Sequence, residues 1–167
     1  MKKIVTLGVL LLAVIISVSA VSAFEWSFSS SDNSNSNGGS VSLDNNVLKI
    51  QGFEYTIPEG YKENESAKIV GEDADQNIFP GFKISSETFE KGDDAIIIKV
   101  VFGDEDMDED EYTPGENATV TEIADTEGYI TQYTNGVSFD YVEDGKIVEI
   151  FAPDEQTLSS LLSSSDD

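Results

Sequence analysis

Cysteine, histidine and arginine are all absent from the chain, so every basic side chain is a lysine. Without cysteine there is no disulfide, no thiolate nucleophile and no sulfur-ligated zinc or iron–sulfur cluster. Without histidine there is no imidazole base near neutral pH, no hydrolase dyad built on one and no histidine-held haem. Without arginine there is no guanidinium fork for phosphate or carboxylate. Positive charge is scarce altogether: 9 lysines stand against 33 acids in 167 residues, a formal charge of −24. Such a chain repels the phosphates of DNA and RNA, which excludes nucleic acid as a partner. The length is that of one ordinary domain, perforce an acidic one.

The longest apolar run is N-terminal. Lys2 and Lys3 precede it, Ile4 to Val18 carries no charge, and Val21-Ser22-Ala23 closes it with small residues. A basic start, an apolar middle and a small-residue end make residues 1–26 a secretory signal peptide, with cleavage expected after Ala23. An uncleaved N-terminal membrane anchor is the alternative. Residues 4–24 are uncharged and reach the roughly 20 residues that span a bilayer, with Phe24 and Trp26 as interfacial anchors. Either reading places the remainder outside the cytoplasmic membrane, secreted or tethered, with membrane contact only through residues 4–24 if they are retained. Residues 27–46 are rich in Ser, Asn and Gly and read as a disordered linker. Residues 47–163 have the composition of a folded domain, and 164–167 form a frayed polar tail.

Within the domain the pattern is that of strands. Gly128 to Tyr133, Val137 to Tyr141 and Lys146 to Ala152 predict a three-stranded antiparallel meander, turning at Asn135-Gly136 and Asp144-Gly145. Val137, Phe139 and Tyr141 alternate with Ser138 and Asp140, which predicts one buried and one solvated face. Thr119 to Ile123 adds a possible fourth strand. Ala95 to Phe102 is a run of mostly β-branched residues, the mark of a central strand buried on both faces. Phe82 to Phe89 pairs with it across Lys91 to Asp94, and Phe53 to Ile57 and Ala67 to Gly71 are shorter strands. Pro153-Asp154-Glu155 opens a helix whose Leu158, Leu161 and Leu162 form one apolar stripe. The fold class is therefore α+β: a mainly antiparallel sheet with a C-terminal meander and one short C-terminal helix packed on it.

Phe53-Glu54-Tyr55-Thr56-Ile57-Pro58-Glu59-Gly60-Tyr61, the Gly128-Tyr129 strand and Asp144 to Ile150 leading into the leucine helix carry a resemblance. Together they resemble small exported domains of unknown function from methanogenic archaea, which begin with an F-x-I-P-x-G-Y strand. They are also similar to uncharacterised extracytoplasmic domains of membrane-anchored bacterial proteins. The resemblance spans about residues 53–162. It implies an archaeal, extracytoplasmic α+β sheet domain and supplies no catalytic residue.

Chemistry concentrates in the acidic run Asp104 to Glu111. Asp104, Asp106, Asp108 and Asp110 follow the one-three-five-seven spacing of an EF-hand loop and are candidate ligands for a weakly bound Ca²⁺. Glu109 stands where the loop needs glycine and Gly115 where it needs a bidentate glutamate, so the run equally reads as a solvated, self-repelling loop. Lys99, inside an apolar strand, is expected at an edge or reaching toward an acid. The aromatics at strand spacing read as core with tyrosine hydroxyls at the rim, and Phe79-Pro80-Gly81-Phe82 as an exposed apolar tip. Asn64-Glu65-Ser66 and Asn117-Ala118-Thr119 are candidate glycosylation sequons. These residues describe a noncatalytic acidic module without a resident cofactor, an envelope or surface interaction domain whose partner is another envelope or extracellular protein. A low-affinity divalent-cation (Ca) binding protein and a carboxylate-dependent hydrolase are the alternatives.

Overall fold

A computed structural model describes residues 40–164. The export segment, the linker up to residue 39 and the tail beyond residue 164 lie outside the described residues. The described chain forms two antiparallel sheets and one helix. Three short strands, β1 (Val41–Asp44), β2 (Val47–Ile50) and β3 (Phe53–Thr56), make the smaller sheet in sequence order. The larger sheet holds β4 (Lys62–Glu63), β5 (Ile69–Asp73), β6 (Lys83–Lys91), β7 (Asp94–Phe102), β8 (Thr119–Ile123), β9 (Thr126–Tyr133), β10 (Gly136–Glu143) and β11 (Lys146–Ala152). Its order is β4-β6-β7-β11-β10-β9-β8, with β5 also on β6. Helix α1 (Glu155–Leu162) follows β11 and packs on β10, β11 and β3.

Tight turns set the registers. Asn45-Asn46, Ala124-Asp125 and Asp144-Gly145 all have positive φ, the backbone that joins two twisted strands without splaying them. The β9–β10 turn falls one residue before the expected Asn135-Gly136: Tyr133 pairs with Gly136, leaving Thr134-Asn135 as the turn. Gly136 opens β10 instead, at a point of close approach. A Cβ there would sit 2.4 Å from the Ala152 carbonyl oxygen and 2.6 Å from the Phe151 ring. At the helix, Asp154 is the N-cap, its carboxylate accepting from the Thr157 N–H at 2.7 Å, so Pro153 lies just outside the first turn rather than in it.

The main core lies between the large sheet and the layer formed by the small sheet and α1. Ile96, Ile98 and Val100 of β7 and Val148 and Ile150 of β11 meet Leu48, Ile50 and Tyr55, with Leu158, Leu161 and Leu162 of α1. Three corrections to the sequence reading follow from the packing. Val41–Asp44, assigned to the linker by composition, is strand β1, because pairing with β2 supplies the hydrogen bonds its own side chains cannot. The Tyr55 hydroxyl is not at a rim but buried, 2.7 Å from that of Tyr141. Phe79 is buried rather than exposed. The 74–82 loop folds back over the sheet, held by Ala74 N–H to the Phe82 carbonyl at 3.0 Å and by the Gln76 amide, and Phe79 stacks edge-on to Phe82.

That loop and the 103–118 segment cover part of the large sheet's second face, where Ala74, Phe79, Val101, Tyr112 and Ile147 form a smaller cluster. The second face therefore has its own cover. As a result Ser138 and Asp140, expected on a solvated face, are buried.

Candidate functional site

The second face carries a row of polar side chains in strict register. Ser86 of β6 lies opposite Lys99 of β7, Lys99 opposite Glu149 of β11, Glu149 opposite Asp140 of β10, and Asp140 opposite Tyr129 of β9. Lys99 Nζ is 2.7 Å from Glu149 Oε2, and the two side chains are 14% and 12% exposed. Lys99 is thus on an interior strand, paired with an acid. Asp140 accepts hydrogen bonds from Tyr112 Oη at 3.1 Å and Ser138 Oγ at 3.0 Å. Burial, with the neighbouring charge of Glu149, pushes its carboxyl up to about 7 despite those two bonds and the Lys99 charge. Tyr112 in turn is pushed far up by burial and by Asp140. One strand further out, the Thr131 hydroxyl is buried without a hydrogen-bond partner.

A second charged cluster sits on the opposite face at the β6 edge. Lys68 Nζ lies 2.9 Å from Glu63 Oε1 and 2.9 Å from Glu87 Oε2. The Glu87 side chain is fully enclosed and its oxygens receive no well-directed hydrogen bond, so the Lys68 ammonium is the charge that compensates it. Burial raises the Glu87 carboxyl above its ordinary range, against the pull of Lys68. For Lys68 burial works against the ammonium, but its hydrogen bond to Glu63 and the negative charges of Glu87 and Glu63 outweigh it and raise its pKa.

The acidic run forms a loop that docks on the β10–β11 turn. Met107 N–H donates to the Gly145 carbonyl at 2.8 Å, and Met107 packs into the second-face cluster. Asp106 lies where a Cβ on Gly145 would fall, 2.5 Å from it, so glycine at that turn makes room for the loop. Asp108 caps a single 3₁₀ turn at Glu109–Glu111, accepting from the Asp110 N–H at 3.4 Å. Asp106, Asp108 and Asp110 line one open cleft of about 500 Å³, with Glu109, Glu143 and Asp144; Asp104 does not. Among the described residues no three carboxylates are grouped closely enough to hold a metal ion.

The two sequons differ. Asn64 Nδ2 donates to Glu90 Oε1 at 2.9 Å, while its Oδ1 accepts from Ser66 Oγ at 2.6 Å. Asn117 is exposed at a turn with φ of 72°.

Sequence reasoning missed Asp140, Tyr112, Ser138 and Glu87 as buried polar residues. A signal was present for the first three: Ile147-Val148 and Ile150-Phe151 put apolar residues on both faces of β11. A strand buried on both faces implies cover over its neighbour β10 as well. Among the described residues no helix is long and apolar enough to cross a membrane. No protein-family model, curated protein or solved structure matches the chain.

Proposed function

We propose that the protein is a noncatalytic acidic module working outside the cytoplasmic membrane, secreted or held by its N-terminal segment, which docks onto a cationic surface of another envelope or extracellular protein. The observation that supports this reading is where the lysines point. Lys49, Lys68 and Lys99 are paired with Glu54, Glu63 with Glu87, and Glu149. Lys83, Lys91 and Lys146 donate to the backbone carbonyls of Gly71, Glu59 and Gln51, and the last two also lie over the Tyr61 and Phe53 rings. These cations are spent within the fold, whereas Asp104 to Asp106 and Asp108 to Glu111 stand exposed. The field presented outward is negative, which steers basic partners and rejects acidic ones. The buried Lys99–Glu149–Asp140 row, closed over by Tyr112, serves this reading as an internal brace. Capture experiments with the native protein test it: a partner from the envelope that is lost as salt rises, and lost on charge reversal of Asp108 to Glu111, is expected. Retention that ignores both salt and charge reversal counts against it.

The acid-lined cleft favours one second reading, low-affinity divalent-cation binding. It predicts that about 10 mM Ca²⁺ raises Tm and slows amide exchange across residues 104–111. No change in either removes it.

A further inference from the structure

Strand β8 ends the large sheet. Among the described residues it pairs with β9 alone, and no described strand takes its outward row of backbone groups. The geometry of the β8–β9 hairpin says which groups these are. Ile123 and Thr126 flank the two-residue turn Ala124-Asp125, whose φ values are 49° and 64°. They therefore exchange both hydrogen bonds, and by alternation Thr121 with Gly128 and Thr119 with Ile130 are the next bonded pairs. The N–H and C=O groups of Val120 and Glu122 then point away from β9, toward the open edge.

The side chains beside that edge name the chemistry of an occupant. Val120 is 61% exposed and lies opposite Tyr129, which packs against Tyr112 at 5.8 Å and belongs to the second-face cluster. An apolar residue set beside Val120 would extend that cluster by one strand. Glu122 lies directly opposite Glu127 on the same face, and both are exposed. Like charges facing each other across a ladder are destabilising, and a cation on a third strand beside Glu122 relieves them. A second copy of this chain would bring its own Glu122, Glu127 and Asp125 to the seam, so it fits poorly. The opposite edge of the sheet is blunted: β4 has two residues, a 3₁₀ turn follows, and the β5 register breaks between Ile69 and Glu72.

We infer that β8 is a docking edge for an extended segment of a partner protein that carries an apolar and a basic residue two positions apart, both on one face, added to the sheet as a further strand. The inference rests on the acidic-module reading and specifies where that module grips.

The test uses the purified native protein and a synthetic peptide of about eight residues with valine and lysine in turn at every second position and threonine between them, so that valine and lysine share one face, with oligolysine of equal charge as control. The valine–lysine peptide is expected to protect the Val120 and Glu122 amides from hydrogen exchange, while oligolysine does not. Val120→Pro removes an outward-pointing donor and the valine side chain but no hydrogen bond to β9, so the fold should survive, yet affinity should fall about tenfold. Glu122→Lys leaves the backbone intact and should weaken the same peptide about threefold or more. Equal binding to the parent and to both variants overturns the edge assignment while leaving a salt-sensitive acidic module standing. Amides of Val120 and Glu122 already protected in the free protein also overturn it, since the edge is then occupied by the chain itself or by a second copy. Failure of both peptides to bind at low salt overturns the edge assignment together with the cationic partner.

Discussion

Asp140 is the residue whose ionisation should be felt most by the fold. The residue is 6% exposed and faces Glu149 across the ladder, and burial pushes its carboxyl from the ordinary 3.8 up to about 7 in the folded state. The folded state thus holds a proton that the unfolded chain releases. Its contribution to stability is fully present below about pH 4 and is lost as pH rises through 7, on the order of a few kcal/mol. Asp140→Asn keeps the shape and removes the charge. It should flatten the dependence of unfolding free energy on pH between 4 and 7 and raise stability at pH 8; an unchanged pH profile in denaturant titrations would contradict this. Glu87 is likewise raised by burial, but it has a lysine against it. Its one compensating charge is Lys68, so Lys68→Met strands an enclosed carboxylate and should cost about 3 kcal/mol. A loss under half a kilocalorie in urea unfolding would mean that Glu87 is already neutral.

At the level of elements, much was readable because strands announce themselves through alternation and turn residues. Thr119–Ile123 is a strand with the bounds the sequence suggests, and Asp144-Gly145 turns β10 into β11 as its positive-φ preference demands. Ala124-Asp125 was unreadable, since alanine carries no turn signal and adopts positive φ only because the flanking strands impose it. The strand at Val41–Asp44 is hidden in serine- and asparagine-rich composition, and the Asn45-Asn46 turn that creates it has the composition of a linker. The polar row illustrates a different limit: Lys99, Glu149 and Asp140 lie far apart in sequence, and register alone brings them together. The helix was legible from its leucines, and its cap gives a direct check. Asp154→Ala removes the acceptor for the Thr157 N–H and should cost about 1 kcal/mol, measured as a drop in Tm; no change would show that α1 is held by its leucines alone.

For the whole molecule, charge and location are one problem. A chain of formal charge −24 in which Lys49, Lys68, Lys83, Lys91, Lys99 and Lys146 are engaged within the fold should keep acidic molecules at a distance. It also carries two sequons of unequal access. Asn117 stands open at a turn, whereas both ends of the Asn64 amide are already bonded to Glu90 and Ser66. Any glycan should therefore reside on Asn117, and Asn117→Gln rather than Asn64→Gln should abolish the added mass. The measurement that bears most directly on the proposed role is the intact mass of the native protein from separated cytosol, membrane and medium. The expected result is a chain beginning at Phe24 in the medium, or one retaining residues 1–23 in the membrane. The full-length chain confined to the cytosol would contradict an extracytoplasmic module.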